Sequence, residues 1–247
     1  MLCLVIAFAL GWQDPAPNQP KPAAAAAPTA ASVRTWDDKV AKAAIDEFAK
    51  VMKGTPSMLD RSRALDQLAG GSNILLLKPL ADVVEKDKSI VIRRRAVELI
   101  VNQPEKDANA TLRSLLENTK VAATPQVCAQ IVRGIAQCGY DSKQWAKIEP
   151  LFERSYTADC LSLHDAILEL VTKHAERAAL PLLLRNLDEP APKDEHAQHN
   201  PPKEYWEARW KAWSSWKARV KNALFAITGQ RFNTAAEAEA WLKNNPK

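Results

Sequence analysis

Residues 73–101 read NILLLKPLADVVEKDKSIVIRRRAVELIV. Leu76, Leu80 and Val83 follow one another at steps of four and three, and so do Ile92, Ala96 and Leu99. Such steps place each triplet on one face of a helix. A short polar turn around Asp87 separates the two, so the stretch predicts a helical hairpin. The first triplet recurs 36 residues on (112 − 76) as Leu112, Leu116 and Thr119, and 36 further on as Ile148, Phe152 and Ser155. Its last position turns polar. The second triplet keeps the same period through Cys128, Val132 and Ile135, then His164, Leu168 and Val171. Two helices repeating in phase are the signature of stacked supersecondary units.

Upstream, Trp36, Val40, Ala44, Phe48 and Val51 are expected on one helical face. Gly54-Thr55-Pro56 ends that helix, Ser57 starts another carrying Leu65 and Leu68, and Gly70-Gly71 closes the pair. Downstream, residues 188–203 read as a Pro-rich loop. A long helix is expected over 204–227, stopped by Thr228-Gly229-Gln230, and a short one over 235–243. Pro-Leu steps at Pro79-Leu80, Pro150-Leu151 and Pro181-Leu182 suggest that each first helix is bent alike, because proline removes a helical hydrogen bond.

These features resemble the HEAT-repeat family, whose units pair a bent, proline-containing first helix with an antiparallel second. The closest match is Asp87, Ile92, Arg93, Ala96 and Leu99; elsewhere the apolar positions persist, and Asp165 stands where the arginine would fall. The resemblance covers residues 57–187. Thr228-Gly229-Gln230-Arg231-Phe232 with 235–241 looks like the closing segment of many bacterial members. The implied fold is all-α: a short right-handed α-solenoid of about five hairpins, at 36–70, 73–103, 108–139, 143–175 and 176–227, with a C-terminal cap at 228–247.

Composition agrees with helix: only seven glycines occur in 247 residues, and hydrophobic residues make up 47%. Leu2 to Leu10 is an apolar run followed by Gln13-Asp14-Pro15, so residues 1–13 resemble an export signal, although no basic residue precedes the run. Residues 14–35, rich in Pro and Ala, are expected to form a flexible linker. The expected location is therefore outside the cytoplasm: periplasmic, envelope-associated or secreted. No transmembrane span is expected, since a bilayer needs about 20 apolar residues.

Several residue groups are candidate sites. Trp206, Trp210 and Trp213 continue to Val220, Leu224 and Ile227 as a stripe expected to be buried, interrupted by Lys217. Tyr205 and Trp216 fall off that stripe and are candidates for an aromatic contact surface. Arg93 and Arg94, with Arg133 and Lys173 on later second helices, form a candidate basic strip or an ion-paired face; the net charge is +5. His196 and His199 with Asp194 and Glu195 offer metal-ligand types, in a loop that reads as solvated. Cys128, Cys160 and His164 fall at or near equivalent second-helix positions, where a Cys–His nucleophile pair or plain core packing are the alternatives. Cys138 with Cys160 is the one plausible disulfide.

No phosphate-cradling glycine loop, G-x-S-x-G, H-E-x-x-H or paired C-x-x-C occurs. No catalytic residue, cofactor or metal is assigned. The expectation is a non-enzymatic scaffold that holds another protein on an extended helical surface. The alternatives are nucleic-acid binding through a basic face and, third, an enzyme like the HEAT-containing bilin lyases or DNA glycosylases.

Overall fold

The computed structural model describes residues 33–192, 198 and 200–245. The chain is all-α in these residues apart from one minimal strand pair. The helices are α1 (Asp38–Met52), α2 (Met58–Leu68), α3 (Leu77–Lys86), α4 (Ile90–Val101), α5 (Glu105–Glu117), α6 (Thr119–Ala122), α7 (Pro125–Gln137), α8 (Trp145–Phe152), α9 (Leu161–His174), α10 (Leu180–Arg185), α11 (Lys203–Thr228) and α12 (Ala235–Asn244).

Local chemistry sets the ends. Asp37, Ser57 and Ser89 accept a hydrogen bond from a first-turn amide of α1, α2 and α4, and Ser57 and Asp60 cap each other reciprocally. Gly229, at φ 71°, closes α11 in the left-handed region. The proline expectation needs correcting. Pro79 and Pro181 sit in the first turns of α3 and α10, where an amide has no helical partner, and only Pro150 lies inside its helix. What α3, α8 and α10 share is a 3-10 turn immediately before them.

Strand β1 (Arg34–Thr35) pairs in parallel with β2 (Gly71–Ser72). Residues 34 and 35 are thus tied to the first hairpin, not part of the linker. Gly71 is required there: a Cβ would lie 2.2 Å from the Trp36 ring.

The helices pack serially, α2 on α4, α4 on α7, α7 on α9 and α9 on α11, while α3 packs on α5. Cross-links from α7 to α9 and the turn leading into it run in order: Gln126 to Asp159, Arg133 to Glu169, and the Ala136 carbonyl to Lys173. These two helices are therefore parallel. That geometry rules out the Cys138–Cys160 bridge, since one cysteine ends α7 and the other precedes α9, about 20 Å apart along a 13-residue helix. All three described cysteines are free and buried.

One hydrophobic core runs from Phe48 to Ala238 and includes every member of the second-helix triplets except His164, which is buried beside it. Buried polar side chains fasten the joints between units. Gln103 donates to the Gly71 and Leu99 carbonyls and accepts from Asn73 N–H. Asn109 donates to the Cys138 carbonyl and accepts from Gln144, and Glu176 accepts from Tyr140 Oη at 2.8 Å. Gln103 and Asn109 satisfy carbonyls that helix ends leave unpaired, and Glu176 also accepts from Ala178 N–H at the start of the next turn.

Two helix faces differ from expectation by one residue. In α1 the inward set is Ala41, Ala44, Ile45, Phe48 and Met52, while Val40 and Val51 are exposed. In α11 it is Ala212, Trp216, Val220, Ala223 and Leu224, and Trp210 is exposed.

Candidate binding surfaces

The aromatic candidates are redistributed by the phase of α11. Trp216 is 0% exposed and is not a surface residue. Its ring meets His164 edge-on at 4.4 Å, Phe152 at 4.8 Å and Tyr156 at 5.9 Å, and its indole N–H has no hydrogen-bond partner. The reason is helical period: Ala212, Trp216, Val220 and Ala223 recur at steps of four and three and form the buried face of α11, which packs on α9. Tyr205 is half-buried against Tyr156 and Trp206. Arg209 lies over the rings of Tyr156 and Trp206, and Lys217 over Trp213, so these faces are already partnered.

The basic strip is broken up: one member is buried, one is ion-paired and one is tied to a carbonyl. Arg93 is buried: Nε donates to the Val84 carbonyl at 2.6 Å and Nη1 to Thr124 Oγ1 at 2.9 Å, which removes it from the surface. Burial also lowers its pKa. Arg133 pairs with Glu169 at 2.8 Å, and Lys173 donates to the Ala136 carbonyl at 2.7 Å. Arg219 of α11 pairs with both Asp165 and Glu169, and Arg95 with Asp66 and Glu98. Of the proposed strip Arg94 and Lys173 stand exposed without an ion pair among the described residues, and Lys173 is held by the Ala136 carbonyl. Charges matched to one another in this way offer phosphate little, which weighs against a nucleic-acid surface.

The Cys–His group is core. Cys128 donates weakly to the Val121 carbonyl, and burial pushes its thiol to about 11. His164 is fully buried; burial pulls its pKa to about 4, against the weaker opposing effect of the Phe152 and Ser155 carbonyls, and neither ring nitrogen meets a partner in good hydrogen-bond geometry. Burial thus keeps the Cys128 thiol protonated, without the thiolate that nucleophilic chemistry needs, and the His164 ring meets Phe152, Tyr156 and Trp216. No group of three metal-ligating side chains occurs among the described residues. His196, His199, Asp194 and Glu195 lie outside the described residues, as do the export-like segment and linker residues 14–32.

A site absent from the expectations lies between the first two hairpins. A trough of about 590 Å³ is floored by Ile45, Phe48 and Met52 of α1 with Pro79 and Val83 of α3, and walled by the turns after α1 and α3. Its charged rim holds Lys53, Arg61, Lys86 and Lys88 against Asp82 and Asp87. Both acids are engaged. Asp87, its side chain 4% exposed, lies 2.9 Å from Arg61 Nε and accepts from Ser89 N–H, and Asp82 pairs with Lys86. Lys53 and Lys88 make no ion pair among the described residues.

Just past this rim the first turns of α2 and α4 expose four apolar side chains: Met58 (55%), Leu59 (57%), Ile90 (40%) and Val91 (64%). Ser89 Oγ lies 3.5 Å from Met58 Sδ, so the starts of α2 and α4 abut. A signal for them exists in the sequence: Ser57-Met58-Leu59 and Ser89-Ile90-Val91 each put two apolar residues directly after an N-cap, off the buried stripe.

No protein-family model, curated protein or solved structure matches this chain. Among the described residues no helix is long and apolar enough to cross a membrane.

Proposed function

We propose that residues 36–245 form a short right-handed α-solenoid of HEAT-like hairpins acting as a non-enzymatic scaffold for another protein, outside the cytoplasm. The observation carrying this reading is the in-phase link between units. Arg133 to Glu169, Tyr140 to Glu176 and Glu149 to Arg185 each join residues 36 apart, the period of the apolar triplets. Units that meet only their neighbours extend along one direction, and the extended surface so formed suits protein partners. The mutual pairing of charges on the second helices favours a protein over a nucleic acid.

The test is crosslinking in the native host with photoreactive residues at exposed second-helix positions such as Arg94 and Thr172, followed by identification of what is joined. Crosslinks to another protein are expected. Crosslinks to nucleic acid alone, with binding that falls steeply with salt, would replace this reading with the nucleic-acid one. Deletion of residues 33–72 tests the architecture: units stabilised by nearest neighbours leave the remaining helices folded with a lower melting temperature. Complete loss of helix would contradict it.

A further inference from the structure

We propose that the trough between the first two hairpins docks a peptide segment of a partner protein in which large apolar side chains are flanked by Asp or Glu. The proposal rests on the scaffold reading and names where and what the scaffold holds. Three independent features converge.

The first is shape. The volume falls within the range of about 300–1,000 Å³ typical of ligand sites, and its floor is made of aliphatic, aromatic and proline surface. The trough is open to solvent, and the exposed Met58, Leu59, Ile90 and Val91 lie just past its rim. An acyl chain or small apolar molecule needs enclosure; a peptide needs a floor for one or two anchors and a lip on which to lie.

The second is charge. The rim carries four basic and two acidic side chains, a net +2, and both acids are already paired. Lys53 and Lys88 are the charges left for a ligand. Asp60, one turn into α2, is held by the Ser57 amide and hydroxyl.

The third is backbone polarity. The 11- and 12-residue helices α2 and α4 begin beside this rim, and their positive ends add to the attraction for carboxylates.

Two other occupants fit less well. A second copy of this chain docked trough to trough would oppose like charges. The chain's own apolar run, Leu2 to Leu10, carries no acidic residue to meet the lysines.

The experiment is selection of short random peptides displayed on phage against the immobilised full chain, then affinity measurement on the enriched sequences. Enrichment of peptides combining Leu, Ile, Phe or Trp with Asp or Glu is expected. Their affinity should fall about tenfold or more in Lys53→Glu/Lys88→Glu. It should fall comparably in Leu59→Ser/Val91→Ser, with helical content unchanged by circular dichroism in both variants. Enriched peptides that are basic or indifferent in charge, or binding that neither variant weakens, overturns the proposal. If such binding falls instead on Arg94→Glu, the scaffold reading survives with its site elsewhere. Failure to enrich any peptide also overturns the trough proposal and leaves the scaffold reading to the native crosslinking. Self-association abolished by Leu59→Ser/Val91→Ser would assign the trough to a second copy and equally sink it.

Discussion

The two ends of the described chain treat their apolar residues in opposite ways. At the C-terminal side α11 lays Trp216 against Phe152, Tyr156 and His164, and Trp241 of α12 meets Phe232, in the turn before that helix, at 5.8 Å. Most large rings there are covered; Trp210 and Phe225 are the exceptions, and each has a polar partner, Glu189 at the Trp210 indole N–H and Arg231 over the Phe225 ring. At the N-terminal side α2 and α4 present Met58, Leu59, Ile90 and Val91 to solvent beside an apolar trough. Water penalises exposed apolar surface equally at both ends, so the contrast points to use at the open one.

The sharpest way to break the comparison is Trp216→Ala. The indole is fully buried between α9 and the aromatic residues at and after the end of α8, and its removal leaves a cavity that rigid neighbours cannot fill. A loss of about 3–5 kcal/mol is expected in denaturant unfolding. Binding at the trough, at the other end, should be retained in the fraction that stays folded. A loss under about 1 kcal/mol would mean that α11 is not what seals this end.

His164 gives the closed end a pH dependence. Unfolded, its imidazole takes up a proton near the ordinary 6.5; folded, burial delays this to about 4. Stability from this site is therefore complete above about pH 6.5 and declines as pH falls towards 4, by up to about 3 kcal/mol. His164→Leu, matching the apolar residue at the equivalent Ile92, should flatten unfolding free energy across that window. A His164→Leu profile as steep as the parent's would contradict this assignment.

How much of this was legible in the sequence depends on what sets each feature. The hairpins were legible because apolar spacing alone builds them, and Ile92, Ala96 and Leu99 with their counterparts 36 and 72 residues on are all buried. Helix phase was less legible where apolar residues abound. In α1, Val40 and Ala41 both qualify, and neighbouring α2 selects the small one. In α11, a stripe through Trp206, Trp210 and Trp213 ran into Lys217, and that misfit was the clue that the true face passes one residue earlier, through Trp216. The site was the least legible part. Arg93 read as surface because Thr124, 31 residues away, is invisible to local pattern. The trough needs α1, α3 and two turns together, and no spacing along one helix encodes that.

At the open end, the N-terminal clip offers a smaller effect. Gly71→Ala puts a methyl where Trp36 already lies, so either the ring or the β1–β2 pair must move. Overpacking of this kind costs about 1–3 kcal/mol. Amide exchange should show the loss in residues 34–72 and leave α9 and α11 protected. Uniform loss of protection would mean that the two ends are not energetically separate.

The smallest effect belongs to the flank joining the two ends. Glu169 of α9 accepts from Arg133 of α7 and Arg219 of α11, linking three successive second helices, and its side chain is 42% exposed. Exposed pairs contribute about 0–1 kcal/mol each, and salt screens them. Glu169→Ala is therefore expected to cost under about 1 kcal/mol in low salt and less in high salt. Its second consequence is more informative. Without Glu169, Arg133 loses its carboxylate while Arg219 keeps Asp165, and the flank becomes locally basic. If a salt-sensitive affinity for DNA or RNA arises in Glu169→Ala and is absent from the parent, then charge matching is what keeps polyanions off this face. If parent and variant bind nucleic acid equally well, the ion pairs screen nothing, and the preference for a protein partner loses the support it draws from them.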